Sequence, residues 1–345
     1  MRIVVDAMGG DLAPDAAALG ALDAAEQLGV QIVLVGQGER ILSCLKRHGV
    51  QTLPKGVEIA NAEDVVDMHD DPATVVKTRR DSSMVVGLRM LANGQGDAFV
   101  SAGSTGALLS AATLVVKRVR GIRRAAMGPL IPNKTGGRTV LIDCGANAEC
   151  TPEFLLQFAF MGSYYAGKTL AIERPRVALL NIGAEDTKGG TLQKQTYALL
   201  QKANDAGYLN FVGNIEARDV PLGGADVVVA DGFSGNILLK GIEGTALFMG
   251  SMIKKMFTQN LLTKLAALVC KNGISAIRST LDYRETGGTL LLGITKPVVK
   301  AHGSSDRVAM FHSIRQAAEA VEAGVAQDLA ENIDKMTVPK ELDHV

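Results

Sequence analysis

The sequence predicts an α/β protein built on a mainly parallel sheet with helices on both faces. Three observations predict it. Short runs rich in Val, Ile and Leu recur along the 345 residues, glycine-rich turns follow them, and stretches of helical periodicity follow the turns. Continuously apolar runs belong to strands buried on both faces. Strand–helix alternation is the pattern of a parallel sheet.

Strands are expected over residues 2–5, 31–35, 98–101, 139–142, 176–180, 209–212 and 226–230. Helices are expected between them, over 15–28, 37–48, 71–91, 105–116, 151–166, 189–205 and 235–258, and again over 308–321. Asp71-Pro72 and Thr151-Pro152 each put a capping oxygen before a proline at the first helical position. From 240 to 285 the rhythm breaks, and a long helical stretch carries no strand. Such an insertion either packs as an ordinary helix pair or protrudes as a contact hairpin. Within it Leu261, Leu262, Leu265 and Leu268 form a short apolar segment flanked by lysines, suited to a dimer interface or a bilayer surface.

Composition sets the bounds. Lys plus Arg number 36 and Asp plus Glu 36, so the formal net charge is zero and a global grip on nucleic acid is excluded. A hydrophobic fraction of 47% with 21% charged residues excludes wholesale disorder. The length suits one large or two medium domains. Cys44, Cys144, Cys150 and Cys270 form no CxxC pair, and the histidines have no ligand spacing, so neither a disulfide framework nor a metal site is indicated. No run approaches the ~18 apolar residues of a membrane span, and the first residues read as a strand rather than a secretory leader. The expected location is cytoplasmic, with any membrane contact peripheral. The 38 glycines are an excess over the typical ~7%. Glycine serves tight turns and close approach, so their positions matter.

Many stand at strand ends, where a parallel sheet lines its ligand crevice. Ser101-Ala102-Gly103-Ser104-Thr105-Gly106 closes one strand and opens a helix with free amides and hydroxyls. That is a seat for phosphate or carboxylate, or simply a Ser/Thr cap. Asp143-Cys144-Gly145-Ala146-Asn147, the loop from Asn181 to Gly190, and Asp231-Gly232-Phe233-Ser234-Gly235-Asn236 follow three more strands. His302-Gly303-Ser304-Ser305 opens the last helix in the same manner. Converging loops of this kind suit an oxyanion-rich ligand. Gly36-Gln37-Gly38, with Ile41 in place of a third small residue, reads as a tight turn rather than a dinucleotide fingerprint. No P-loop or nucleophile elbow occurs. Lys117, Arg118, Arg120, Arg123 and Arg124 form a basic run without an acid, either a solvated helix end or a landing site for an acidic partner.

These motifs, with Asp6-Ala7-Met8-Gly9-Gly10-Asp11, Asp81-Ser82-Ser83-Met84, Gly213-Asn214-Ile215-Glu216 and segments 101–109, 143–147, 179–183, 231–240 and 300–304, together carry a resemblance. The chain resembles, over nearly its whole length, the bacterial acyl-acyl carrier protein:phosphate acyltransferases, the PlsX family of phospholipid synthesis. It departs from that family's usual residues at Ser104 (commonly Asn), Ala184 (commonly Glu), Ala217 (frequently Gly) and Thr289-Leu290 (usually Ala-Pro). The resemblance implies a fold related to phosphate acetyltransferase and isocitrate/isopropylmalate dehydrogenase, with two domains and commonly two subunits. Residues 1–115 plus 290–345 would form one domain and 116–289 the other.

The resemblance also implies transfer of a fatty acyl group from an acyl carrier protein thioester to inorganic phosphate. No cofactor and no metal are expected, and the product would feed a glycerol-3-phosphate acyltransferase. Gly103, Ser104, Thr105 and Gly106, with Asn147 and Ser234, are expected to seat phosphate. Lys188 and Asn236 would neutralise charge and donate to the oxyanion. His302 would protonate the thiolate or orient phosphate, and Asp231 would orient a cation. The basic run would receive the carrier. The rival readings are a coenzyme A-dependent phosphate acetyltransferase, an NAD-dependent decarboxylating dehydrogenase, and a non-catalytic scaffold that recruits lipid enzymes to a membrane.

Overall fold

The structure, a computed structural model, describes residues 1–274 and 287–336. One sheet has the order β3 (Val57–Asn61), β2 (Gln31–Gly36), β1 (Arg2–Asp6), β4 (Ala98–Ser101), β12 (Val298–Lys300), β11 (Thr289–Leu292) and β5 (Ala126–Gly128). The first five are mutually parallel, and β11 runs against both of its neighbours. The other sheet has the order β6 (Leu130–Pro132), β7 (Arg138–Ile142), β10 (Val227–Val229), β8 (Arg176–Asn181) and β9 (Asn210–Glu216). Only β6 is antiparallel there. β5 lies past residue 116, yet it pairs with β11 in the first sheet.

Alternating strand residues feed two apolar layers. Ile3 and Val5 enter one buried cluster and Val4 the other, and Ile142 and Leu141 divide the same way in the second sheet. Both clusters run through both sheets, so each is covered on both faces, as continuous apolar runs require. The helix Asp15–Leu28 packs on the helix Arg307–Glu322, tying the first segment to the last. Gly20 sets that approach: a β-carbon there would lie 2.7 Å from Arg307 O and Met310 Cβ.

Several expected elements have different bounds. The stretch 71–91 is two helices, Val75–Thr78 and Ser83–Ala92. Asp71 serves a turn, accepting from Ala73 N at 3.0 Å, rather than capping a long helix. Arg79 leaves helical geometry so that its guanidinium can reach Asp64 and Asp70, and Ser82 caps the second helix by accepting from Val85 N. The helix after Thr105 widens into a π-turn at Ala112–Val116. The strand expected over 209–212 continues to Glu216, with Gly213 at φ +97 and a register irregularity against β8.

The helix Gly232–Thr258 has 27 residues, roughly 40 Å of helix. Of these only Gly232 and Gly235 are buried, and no residue of the following helix Leu261–Val269 is. This hairpin therefore projects from the body. Residues 275–285 of the expected helical segment lie outside the described residues.

Candidate active site

A cleft of about 1570 Å³ opens between the two sheets. One wall is made by the carboxyl-end loops of β1, β4 and β12, which pack shoulder to shoulder. Asp11 N donates to Gly303 O at 2.8 Å, and Ala301 N donates to Ser101 O at 2.9 Å. Glycine makes this packing possible: a β-carbon on Gly9 would stand 2.7 Å from both Asp6 Oδ2 and Gly103 N. The other wall is the first half of the projecting helix with the loops around β6 and β7.

The second wall is held by Asp143, which is buried at the end of β7. Its carboxylate accepts from Met127 N at 2.8 Å, Cys144 N at 2.7 Å and Asn147 N at 2.7 Å. Burial pushes its pKa up, while these donors hold it down. Gly235 lets the projecting helix settle on this loop, because a β-carbon there would meet Asp143 O at 1.9 Å. Asn236 is thereby placed beside Gly145, facing the cleft. Lys240 and Glu243 follow at helical spacing on the same face, paired at 2.7 Å.

Among the expected site residues, Gly103, Ser104, Thr105, Asn236 and His302 line this cleft. Ser104 makes no side-chain cap, and the first amides of the helix Thr105–Ala111 have no intrahelical acceptor. His302 Nδ1 accepts from Ser304 N at 3.3 Å and lies 2.8 Å from Ser304 Oγ. A backbone N–H can only donate, so the neutral ring carries its proton on Nε2. Burial, then Lys240, pushes the His302 pKa below its ordinary value, so the ring is neutral near pH 7.

The other expected site residues stand elsewhere. Asp231 caps the projecting helix, accepting from Ser234 N and Ser234 Oγ, both at 2.8 Å, so both side chains are engaged in a cap rather than aimed at the cleft. Asn147 Nδ2 donates to Ala125 O and to Asp143, which makes it a brace of the loop. Gly106 faces Pro72. Lys188 lies in the exposed loop after β8, 3.9 Å from Glu185. The basic run is exposed at every position, and Arg124 stacks over Phe154. Leu261, Leu262, Leu265 and Leu268 are exposed on the projecting hairpin. Gly36 and Gly38 form a filled turn: Met8 closes over Gly36, and Gly38 N donates to Asn61 Oδ1. Outside the cleft lining Asp15, Cys44 and His48 converge, but Asp15 there is the partner of Arg47 and His48.

Sequence reasoning missed the charged residues of the cleft. Lys300, Lys240, Glu243 and Asp11 all line it. Lys300 is only 7% exposed, and burial brings its pKa down to about 8 although Asp6 and Asp11 oppose the shift. Asp6, beneath it, is buried and accepts from Ser101 Oγ at 2.6 Å. The lining also holds the apolar Val65, Val66, Leu130, Ile131, Leu239 and Ile242, together with Asp67, Asn133, Lys134 and Arg218.

Comparison with known proteins agrees with this architecture. The family described as fatty acid synthesis protein matches residues 1–328. The phosphate acyltransferase of Desulfitobacterium hafniense is 46% identical over 342 residues, covering 99% of this chain and 100% of that one. Among solved structures, a phosphotransacetylase from Streptococcus pyogenes superposes with a TM-score of 0.60 at 19% identity, covering 94% of each chain. The 4-hydroxythreonine-4-phosphate dehydrogenase of Klebsiella pneumoniae shares the fold more distantly, with a TM-score of 0.52 at 12% identity, covering 93% of this chain and 98% of that one. With a full-length relative of that identity and a family match over nearly all of its length, the chain belongs to the phosphate acyltransferase family of fatty acid synthesis proteins.

Proposed function

We propose that the chain transfers a fatty acyl group from an acyl carrier protein thioester to inorganic phosphate. The observation that carries this reading is the cleft itself, whose lining joins Gly103, Ser104, Thr105 and Lys300 at the strand termini with apolar residues such as Val65, Val66, Leu130 and Ile131. The first suits an anionic nucleophile and the second a hydrocarbon tail. A phosphate oxygen attacks the thioester carbon, the C–O bond forms as C–S breaks, and the sulfur leaves with the bonding pair to take up a proton. No redox step or covalent enzyme intermediate is needed, so positioning and preorganised donors supply the acceleration. In this reading Gly103, Ser104 and Thr105 offer amides and hydroxyls to phosphate, and Asn236 donates to the tetrahedral oxyanion. The neutral His302 orients the reacting groups. Lys188 stays a candidate cation, and Asn147, Asp231 and Ser234 act through the loops they brace.

The carrier is the partner proposed for the exposed basic run, which leads directly into β5 and its cleft-lining residue Met127. The apolar hairpin is proposed to meet a second subunit or a membrane surface. Among the described residues no helix is long and apolar enough to cross a membrane. The deciding experiment incubates the purified chain with an acyl carrier protein thioester and phosphate and detects acyl phosphate by mass. Its formation with release of the thiol is expected; thiol release without acyl phosphate, or no reaction, overturns the reading.

A further inference from the structure

The carboxyl ends of three neighbouring strands carry a polar row. Val5 of β1 pairs with Val100 of β4, so Asp6 stands beside Ser101 one position on, and Ser101 pairs with Lys300 of β12. Strand residues alternate between faces. Val4, Phe99 and Val298 enter one core cluster, and Asp6, Ser101 and Lys300 project to that same side two residues later. One turn of the pleat thus changes a fully apolar row into Asp, Ser and Lys. All three are buried, Asp6 at 1%, Ser101 at 0% and Lys300 at 7% exposure.

A buried charge is costly unless it is paired or used. Within the row, Asp6 is satisfied by Ser101 Oγ and by Met8 N at 3.1 Å. Ser101 Oγ in turn accepts from Gly103 N at 3.0 Å, which fixes the loop expected to seat phosphate. Lys300 Nζ donates to Ala301 O. An ammonium has three protons, and this one lines the cleft. We propose that Lys300 is the cation that seats the phosphate nucleophile, standing beside Ser101 and Asp6 in the polar row at the ends of β1, β4 and β12.

This assignment rests on the phosphate acyltransferase reading above. While one phosphate oxygen attacks the thioester carbon and the sulfur departs with the C–S pair, Lys300 keeps its proton and holds another phosphate oxygen. Burial lowers the Lys300 pKa first; Asp6 at the end of β1 and Asp11 in the next loop oppose that, and Lys240 on the projecting helix adds to it. Glu243, the partner of Lys240, and His302, two residues along, are the other titratable groups around it. A pKa of about 8 makes the ammonium the main form near pH 7 and the amine the main form near pH 9. Inorganic phosphate loses its second proton over the lower part of that range, and the added charge would strengthen binding to a fixed cation, so a loss of binding reports on the protein.

Inorganic phosphate alone is titrated into the full chain, followed by phosphorus NMR, and the phosphate KM is measured alongside. Lys300→Met is expected to weaken phosphate binding ~10–100-fold, with the KM for the acyl carrier substrate within about twofold of the parent's. The parent chain itself is expected to bind phosphate more weakly as pH rises through about 8, and this arm decides if the variant does not fold. Equal phosphate affinity in a folded Lys300→Met variant, or a flat pH dependence in the parent, overturns the proposal. A merely structural lysine would lower the melting temperature without either effect. Lys300-dependent phosphate binding in a chain that makes no acyl phosphate would refute the acyltransferase reading and leave the phosphate seat standing.

Discussion

The cleft depends on a few residues whose roles follow from position rather than type. Lys188 is the one expected catalytic cation that stands outside the cleft, on an exposed loop with a long ion pair to Glu185. Lys188→Ala is expected to leave the fold intact and cut acyl phosphate formation at least tenfold, within the range of a lost transition-state donor. Turnover near that of the parent at saturating phosphate would reduce it to a surface residue. Ser104, Thr105, Asn236 and His302 were legible because each sits in a glycine-marked loop after a strand or at a helix entrance, where crevices form. Asp6 and Lys300 were not. In sequence each is a charged residue at the end of an apolar run, which is also how a strand meets solvent. Their burial comes from β1, β4 and β12 standing side by side, through pairings between residues 95 and 199 positions apart.

Elements were read well where burial was two-sided and poorly where it was not. β1, β2, β4, β7, β8 and β10 are the runs expected, because central strands carry apolar residues on both faces. β3 is an edge strand interrupted by Glu58 and Asn61, and β5 and β6 are short runs cut off by Gly128, Pro129 and Pro132, so none of them shows the continuous apolar run of a central strand. In the second sheet Arg176 at the start of β8 clamps the entrance to β10: its guanidinium donates to Asp226 at 2.9 Å and to the carbonyls of Gly223 and Gly224. Burial raises the Asp226 pKa, but hydrogen bonds and charge from Arg176 outweigh it and hold the carboxyl below 3.8. A depressed carboxylate contributes stability above its unfolded pKa and loses it as pH falls through the folded value. Arg176→Met is therefore expected to lower the melting temperature most near neutral pH, with the gap from the parent closing below pH 3.8. A gap of constant size from neutral to acid would refute the clamp. The projecting hairpin was legible as a helical stretch without strands, and its exposed Leu261, Leu262, Leu265 and Leu268 need a cover. Leu265→Glu is expected to abolish flotation of the full chain with anionic liposomes if a bilayer is that cover; unaffected flotation excludes this segment as the bilayer contact.

At the scale of the molecule, zero net charge averages an exposed basic run against acids spread elsewhere. Reversing Arg120, Arg123 and Arg124 to Glu is expected to raise the KM for the carrier thioester severalfold with little change for phosphate, since exposed charges act on encounter; an unchanged carrier KM would move the landing site elsewhere. The division into 1–115 plus 290–345 and 116–289 remains our proposal, with β5 as the strand that crosses it. The cleft between the sheets also bears on which acyl group the chain takes. An acetyl group has no tail to lay along Val65, Val66, Leu130, Ile131, Leu239 and Ile242, whereas a fatty acyl chain can bury its methylenes there. Each buried methylene contributes about 0.8 kcal/mol, close to fourfold in kcat/KM when the contact is already made in the transition state. A series of acyl carrier protein thioesters is therefore expected to lose up to ~fourfold in kcat/KM for each methylene removed, until the tail no longer reaches the apolar wall. Acetyl-coenzyme A should then be at least ~100-fold poorer than a long-chain carrier thioester. Narrowing the wall with Leu239→Trp should move the preferred length downward while leaving short chains unaffected. Equal efficiency for acetyl-coenzyme A and long-chain carrier thioester would mean that the apolar wall is not used in the transition state. The chain would then be acting as a phosphate acetyltransferase.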